Sequence, residues 1–460
     1  MVVLISALMV GNVRPATLKE SAPAAIQGSD LPNVLIIVTD DQRGGLSMMP
    51  ETSKRFLQQG VMYSPAFATT PVCCPARASI MTGRYAHNHG VKSNSNPGER
   101  GADALDHSTT IQRYLDDAGY HTGIIGKFLN PPWEFSASPP HFDEWATVDG
   151  KDAPPRGADP WTDYSFNVNG TTTSTNGYIT TVIRKRAVGF IRRNAGETPW
   201  YLYVGTKAPH PPHPPEQRHA DLPVNRWKGN PAVSERDKSD KPLYVRNAKR
   251  GIRYGNRIRK EQFRTLVSID NMVKAIFNEL SVSGEEDTLV FFISDNGLHW
   301  GEHGLVGKGT PYSQSVNVLM MANWPGHLSP GIKDSRWAAN IDIAPTVMEA
   351  AAIPPNQVSP MDGRSLLNPT WSRDRILLES WCNAGTGPCN RWASLRTRTD
   401  QFVEYFDQGS VTFREYYDLR RDPWQLTNLK RDGVRGNAPP LGPLGEALEQ
   451  AKACSGAECP

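Results

Sequence analysis

The 460-residue sequence has little net charge, and it has no apolar run long enough to cross a bilayer. Its formal net charge is only +3, which is too small to imply nucleic-acid binding, and a membrane-spanning helix needs about 20 consecutive apolar residues. Hydrophobic residues make up 38% of the chain and charged residues 21%, so the composition is not that of a disordered protein. We therefore predict a globular protein that does not bind nucleic acid and is not an integral membrane protein.

One stretch departs from this charge balance. The segment Val245–Lys260, "VRNAKRGIRYGNRIRK", contains seven Lys or Arg residues and no acid. Such a run is typical of a solvated loop and helix start, or of a rim that faces a polyanion.

The amino terminus, "MVVLISALMVGNVRPAT", resembles the apolar region of a signal peptide but lacks the positively charged region before it. Either the true start lies upstream or the segment is a tail, so we expect residues 1–30 to be signal-like or disordered. This interpretation favours a secreted or periplasmic protein.

Cysteine is scarce, with six residues, and four of them lie in loops rich in small residues. Cys382 and Cys389 flank "NAGTGP", and Cys454 and Cys459 flank "SGAE". We predict a disulfide within each loop, although four cysteines allow three connectivities, and free thiols or a zinc site remain alternatives. Two disulfides would agree with an oxidising compartment.

The other two cysteines, Cys73 and Cys74, are adjacent in "TTPVCCPARASIMTGRYAHNHG". A disulfide between neighbours is strained and rare, and zinc sites usually space their thiols by two to four residues. The remaining interpretations are burial as small apolar side chains, or a nucleophile.

Buried strands alternate with amphipathic helices along residues 33–42, 108–130, 178–215 and 261–297. This order predicts an α/β domain over residues 31–369 with a large, mostly parallel sheet flanked by helices. Loops rich in Pro and Gly near residues 131–170 and 209–242 are expected to be insertions that cover the site. Alternating residues after about residue 369 predict a smaller α+β subdomain with an antiparallel sheet, over residues 370–460.

Polar residues follow the apolar strands at the end where ligands bind in parallel sheets. Asp40-Asp41 and Asp295-Asn296 end two such strands, and if the strands are neighbours, three carboxylates and an amide would meet. Such a cluster needs a cation, and oxygen-only ligation favours calcium or magnesium. The alternative is that the first pair caps a helix and the second forms a turn.

Four basic residues are expected around this edge: Arg77, Lys127, His210 and Lys308. Together they would make an anion pocket suited to sulfate or phosphate. Singly, each is an ordinary surface charge, and His213 competes with His210 for any role.

These residues occur in motifs that resemble the type I sulfatases. "CCPAR" followed by "TGR" is similar to the family's Cys-x-Pro-x-Arg signature, and five further motifs occur in the family's order: "TDDQ", "GK" at 126–127, "APH" at 208–210, "SDNG" at 294–297 and "GEHGLVGK" at 301–308. The resemblance covers most of the chain from Asn33 and implies an alkaline-phosphatase-like fold.

The resemblance also implies roles for the site residues. Cys73 would be converted to formylglycine by a formylglycine-generating enzyme, and Cys74 would pack as a small apolar side chain. The aldehyde hydrate would attack sulfur and then eliminate sulfate. The resemblance further implies a cation, expected to be calcium, held by residue 73, Asp40, Asp41, Asp295 and Asn296. Arg77 would stabilise the hydrate, and Lys127 would bind the sulfate. Lys308 or His210 would protonate the leaving oxygen, and both would contact substrate.

One position departs from the family pattern, because "GKFLN" has Leu129 where many members have histidine. This variant, with "RYAHNHG" and "DYSFNVNG", is similar to the N-acetylglucosamine-6-sulfatase and heparan endosulfatase branch. It implies a sulfated sugar or glycosaminoglycan substrate, such as a sugar 6-O-sulfate. The alternatives are a phosphonate or phosphodiester hydrolase of the same superfamily and a non-catalytic glycan-binding protein.

Overall fold

The computed structural model describes residues 31–94, 100–130, 135–148, 162, 164–175, 177–381, 391–434 and 436–460. In this part of the chain the strands are β1 (Asn33–Thr39), β2 (Val61–Tyr63), β3 (Ala66–Phe67), β4 (His121–Gly126), β5 (Glu144–Val148), β6 (Ser165–Val168), β7 (Thr171–Ser174), β8 (Trp200–Gly205), β9 (Thr288–Ser294), β10 (His299–Trp300), β11 (Val306–Gly307), β12 (Met320–Asn323), β13 (Ile332–Asp334), β14 (Ala338–Ala339), β15 (Arg375–Ser380), β16 (Arg391–Thr397), β17 (Asp400–Asp407) and β18 (Ser410–Asp418). The α-helices are α1 (Pro50–Thr52), α2 (Cys73–Thr82), α3 (Ala86–His89), α4 (Ile111–Asp117), α5 (Ile179–Asn194), α6 (Leu243–Arg246), α7 (Ile252–Val282), α8 (Ser313–Val316), α9 (Ile343–Ala350) and α10 (Leu441–Lys452).

Ten strands form one sheet in the order β13-β2-β12-β9-β1-β8-β4-β5-β6-β7. The five central strands β9, β1, β8, β4 and β5 are parallel to one another, whereas β12 pairs antiparallel with β9 and β6 antiparallel with β5. The predicted mostly parallel sheet is therefore confirmed.

The central strand β1 is apolar from Val34 to Val38 because both faces of the sheet are covered. Val34, Ile36 and Val38 face a core that contains residues of α2, α4 and α9. Leu35 and Ile37 face the opposite core, built with α5 and α7. Successive side chains of a strand point to opposite faces, so one continuous apolar run serves two layers of helices.

The carboxy-terminal strands β15 to β18 form a separate antiparallel sheet in chain order, as predicted. Gln408 and Gly409 join β17 to β18 in a turn, with φ angles of 47° and 80° that suit a tight hairpin. The sheet packs with α10 and shares its core with Phe67 and Tyr85 from the first quarter of the chain. The domain boundaries at residues 31, 369 and 370 stay predictions.

The predicted loop over residues 131–170 is wrong in part. It contains β5 and β6, which extend the central sheet beyond β4. These strands have only five and four residues in a stretch rich in proline and glycine, so their alternation gives little signal. The second predicted insertion, residues 209–242, contains short 3-10 turns at Gln217–His219 and Pro231–Ser234.

No helix in the described ranges combines the length and the apolar character that crossing a membrane requires.

Candidate active site

The ends of β1 and β9 bring the two acid pairs together. The register pairs Thr39 with Ser294, so Asp40-Asp41 and Asp295-Asn296 follow at the same level of the sheet. The backbone N–H of Asp41 donates to Asp295 Oδ1 at 3.1 Å, and Asn296 Nδ2 donates to Asp41 Oδ1 at 2.6 Å. All four residues are buried, and neither aspartate of the first pair caps a helix.

Cys73 is the first residue of α2, and that helix points its amino-terminal end at the acids. The Sγ atom of Cys73 lies 3.3 Å from Asp40 Oδ1. Ligand atoms of Asp40, Asp41, Cys73 and Asp295 all lie within 4.8 Å of one another.

The donor set fits a divalent cation. Oδ1 of Asn296 is buried and has no hydrogen-bond partner, although buried side-chain oxygens are normally satisfied. It stands beside three carboxylates, and calcium and magnesium both take carboxylate and amide oxygens as ligands. The residues present are therefore those that such an ion needs.

Three cationic side chains contact the acids directly. Lys127 Nζ lies 2.6 Å from Asp40 Oδ2, and Arg77 Nε lies 3.0 Å from Asp295 Oδ2. Lys308 Nζ contacts Asp41 Oδ1 and lies 2.7 Å from Cys73 Sγ. Sequence analysis thus named residues from five separate segments that the fold brings into one cluster.

The neighbouring cations shift the pKa values of the buried acids unequally. Burial alone would raise the pKa of Asp40, but Lys127, His210 and Arg77 hold it well below its ordinary value. By contrast, burial and the neighbouring Asp40 raise the pKa of Asp295. The pKa of Asp295 thus stays raised despite its contact with Arg77, and a further cation in the cluster would favour its charged form.

The thiol of Cys73 is poorly suited to act as a nucleophile. Its side chain is 1% exposed, and burial together with Asp40 raises its pKa. Reactive cysteines need the thiolate at neutral pH and therefore a lowered pKa. The thiol at position 73 is therefore not activated in this environment.

Two glycines permit the close backbone approach that places Lys127 in the site. Gly126 has a φ of 94°, and a Cβ atom there would lie 1.9 Å from the carbonyl oxygen of Gly205. A Cβ atom on Gly205 would lie 2.0 Å from the carbonyl oxygen of Lys127. The ends of β4 and β8 can approach this closely only without side chains, and Arg77 Nη1 then donates to the Lys127 carbonyl at 3.0 Å.

His210 and Lys308 form the solvent side of the cluster. Their side chains are 15% and 7% exposed, whereas that of Asp40 is fully buried. His210 Nε2 lies 3.9 Å from Asp41 Oδ2. His213, the competing histidine, is buried against the Pro209 carbonyl, and burial lowers its pKa to about 4. A departing group would meet His210 and Lys308 first.

Neighbouring residues have packing roles. Cys74 is fully buried in the core, and its backbone N–H donates to Asn94 Oδ1 at 2.8 Å. Leu129 is buried in the same core. His89 is buried against Ser79 Oγ at 3.1 Å, and His87 contacts Glu379 at 3.0 Å.

Sequence analysis missed two residues that support the site. Gln262 Nε2 on α7 donates to the Asp41 carbonyl at 3.1 Å, and the hydroxyl of Tyr203 on β8 lies 3.4 Å from Arg77 Nη1. Both lie within regular elements with no motif around them, so only the fold could identify them.

The predicted disulfides fall in two regions of the chain. Cys454 and Cys459 are bonded to each other, with an S–S distance of 2.02 Å. Cys382 and Cys389 lie outside the described residues.

Comparison with known proteins identifies the family. A sequence profile described as Sulfatase matches residues 32–353, and a profile described as N-sulphoglucosamine sulphohydrolase, C-terminal, matches residues 301–437. The chain is 27% identical to a human N-acetylglucosamine-6-sulfatase over 94% of this chain and 86% of that protein. It is 31% identical to an extracellular sulfatase SULF-1 homolog from Drosophila melanogaster over 76% of this chain, and spans only 32% of that longer protein.

Solved structures share the fold. A protein solved in complex with its substrate D-glucosamine-2-N,6-O-disulfate superposes with a TM-score of 0.71 at 21% identity, over 92% of this chain and 96% of that one. A phosphonate monoester hydrolase of Agrobacterium radiobacter superposes with a TM-score of 0.68 at 21% identity, over 91% and 95% of the two chains. At these identities the likeness establishes the architecture alone.

Proposed function

The chain belongs to the sulfatase family and is a sulfuric ester hydrolase, and from this premise we propose that it removes an O-sulfate group from a sulfated carbohydrate. The observation that carries the proposal is the buried cluster of Cys73 with three carboxylates, an unpartnered amide oxygen and adjacent cations. A phosphonate or phosphodiester hydrolase remains the competing activity, since the same architecture occurs in such an enzyme.

Two groups would complete the site: a formylglycine derived from Cys73, and a divalent cation held by Asp40, Asp41, Asp295 and Asn296. Together they would supply an activated hydroxyl nucleophile and neutralise charge on the sulfate. The oxygen donors favour calcium over zinc, and magnesium is the alternative to be distinguished by measurement.

The chain's own residues would bind and orient the sulfate. Arg77 is fixed by Asp295 and the Lys127 carbonyl, which leaves its buried Nη2 without a hydrogen-bond partner and 3.8 Å from Asp40 Oδ2, where it would donate to a group at position 73. Lys127 and Lys308 lie on either side of Asp40 and Cys73, where their charges would bind sulfate oxygens.

The leaving oxygen would receive its proton at the solvent side. Asp41 and Asp40 raise the pKa of Lys308 well above its ordinary value against the effect of burial, so Lys308 keeps its proton at neutral pH. His210 reaches the same region through Nε2. These two side chains are the proposed general acids.

A sugar 6-O-sulfate is the proposed substrate, and a secreted or periplasmic location is proposed with it. Relatives named N-acetylglucosamine-6-sulfatase support the substrate, and a relative named as extracellular supports the location. The Cys454–Cys459 disulfide agrees with an oxidising compartment.

Maturation would require a formylglycine-generating enzyme that acts before folding is complete. Cys73 is 1% exposed, and it lies beneath Lys308 and beside Asp40. A modifying enzyme could not reach its thiol in the folded chain.

The test is peptide mass spectrometry combined with turnover, after expression with a maturing enzyme. The tryptic fragment that ends at Arg77 should lose one sulfur and two hydrogens and gain one oxygen, with fragment ions locating the change at Cys73. Cys73→Ala should abolish hydrolysis of a sulfate monoester, and Cys74→Ala, the matched control, should retain it. An unmodified Cys73 in active protein, or preference for a phosphodiester over a sulfate monoester, would contradict the proposal.

A further inference from the structure

The start of α7 and the turn before it carry cations that the active site does not use. We name as the basic face six exposed residues from the segment that sequence analysis singled out: Arg246, Lys249, Arg250, Arg253, Arg257 and Lys260. The ion pairs found among the described residues, such as those of Glu216 and Glu235, do not involve them, and Glu261 is an acid on which Arg257 and Lys260 act against the burial that raises its pKa. Their charges are thus available to a ligand.

These cations do not serve the helix itself. The amino-terminal end of a helix carries a partial positive charge, which favours acids and disfavours Lys and Arg. The first turn of α7 contains no acid, and Arg253 lies within it. A stretch retained for helix stability would show the opposite charge, so the basic face needs another explanation.

An aromatic ring organises two of the arginines. The guanidinium carbons of Arg250 and Arg257 each lie 5.6 Å from the ring centroid of Tyr254. A guanidinium that stacks on a ring has fewer conformations to lose, and its planar fork matches the oxygens of a sulfate or carboxylate group.

The basic face adjoins both loops that carry the proposed general acids. The backbone N–H of Arg250 donates to the Gly304 carbonyl at 2.9 Å, four residues before Lys308. On the other side, Gln262 Nε2 approaches the carbonyls of Asp41 and Pro209 at 3.1 and 3.4 Å, and Arg257 helps to lower the pKa of His213. From the rise per residue of an α-helix, Arg257 lies about 7 Å and Arg253 about 14 Å from Gln262 along the axis of α7.

We infer that the basic face is a subsite for further anionic groups of the substrate, so that the enzyme acts on a multiply sulfated oligosaccharide or polysaccharide. This inference rests on the proposed function, because the reacting sulfate must occupy the buried cluster while neighbouring anionic groups contact Arg250, Arg253 and Arg257. Small sulfate esters would reach the cluster without touching this surface.

The test compares two triple variants with the same charge change. R250Q/R253Q/R257Q removes the centre of the basic face, whereas K54Q/K185Q/K333Q removes three exposed lysines from other elements. For a heparin-derived oligosaccharide, the first variant should raise KM by about tenfold and weaken its dependence on salt concentration. The control should change neither, and kcat/KM for a small aryl sulfate should stay the same in both variants.

Equal KM values of wild type and R250Q/R253Q/R257Q for the oligosaccharide would overturn the subsite. An equal loss in both triple variants would do so as well, because it would indicate a general effect of net charge. If no sulfate ester is hydrolysed, the proposed function fails, and calorimetric binding of the same oligosaccharide then tests the basic face separately. Loss of binding in the first variant alone would support the subsite, and unchanged binding would reject it.

Discussion

Two of the regions in which the protein buries carboxylates satisfy them in opposite ways. At the carboxyl edge of the central sheet, three acids crowd together with Cys73, and Asn296 Oδ1 has no partner. In the carboxy-terminal sheet, Glu415 accepts three hydrogen bonds from tyrosine hydroxyl groups. Tyr312 and Tyr417 donate to its Oε1 and Tyr405 to its Oε2, each at 2.8 Å.

The difference separates a functional carboxylate from a structural one. The three hydroxyl groups satisfy the oxygens of Glu415, and Lys241 Nζ donates to Tyr417 at 3.1 Å as a more distant counter-charge. This arrangement needs no further ligand. The cluster at Asp40, Asp41 and Asp295 has a cationic side chain against each acid, but Asn296 Oδ1 beside it has no partner, which favours a further ligand such as a cation. Both regions are buried, and they differ in whether the side-chain oxygens have hydrogen-bond partners.

A short segment connects the two regions. Tyr312 donates to Glu415 four residues after Lys308, and Trp392 Nε1 on β16 donates to the Gly309 carbonyl at 2.9 Å. Gly307 and Gly309, on either side of Lys308, have φ angles of 72° and 80°, so the backbone there is sharply turned. The carboxy-terminal sheet therefore positions Lys308.

The largest expected effect is on activity when the active-site cluster loses one charge. Asp295→Asn keeps one acceptor oxygen, turns its NH2 toward either Arg77 Nε or the Asp41 N–H, and removes a carboxylate, so kcat/KM should fall by about 10³-fold or more. The thermal midpoint measured without added metal should change little, because relief of the repulsion from Asp40 offsets the weakened contact with Arg77. A large loss of stability with activity retained would contradict the contrast between the two regions.

At Glu415 we expect the reverse result, a loss of stability. Glu415→Ala leaves three buried tyrosine hydroxyl groups without their acceptor and should lower the free energy of unfolding by about 3 kcal/mol, measured by denaturant titration. Glu415→Gln is the matched control, since its amide oxygen still accepts a hydrogen bond, and it should lose less. If both variants were as stable as wild type, the hydroxyl network would have no structural role.

Sequence patterns predicted the first region well and the second poorly. Asp40 and Asp295 could be placed because each directly follows an apolar run, and the carboxyl ends of parallel strands share one edge of the sheet. Glu415 lies in an ordinary alternating strand, and its partner Tyr312 is about a hundred residues away. No local pattern records such a pairing. The strands β5 and β6 were missed for a related reason, because short strands are defined by their neighbours more than by their own residues.

Cation binding should stabilise only one of the two regions. Adding calcium to chelator-treated protein at about 100 times its dissociation constant should raise the free energy of unfolding by about 2.7 kcal/mol. The increase should be reduced in Asp295→Asn and unchanged in Glu415→Gln. Repeating the titration with magnesium identifies the preferred ion, and an equal response of all three proteins would place the ion elsewhere.

The smallest expected effect concerns the connection between the regions. Trp392→Phe removes the indole N–H that donates to Gly309 but keeps most of the buried ring, so stability should fall by about 1 kcal/mol. If this hydrogen bond aims Lys308, kcat should fall several-fold with little change in KM. Trp324→Phe is the matched control, because its indole N–H donates to Asp287 Oδ1 at 2.7 Å, at the opposite end of the sheet. It should lose similar stability and no activity. If the two variants lowered kcat equally, the loss would follow from general destabilisation, and the carboxy-terminal sheet would not position the lysine through Trp392.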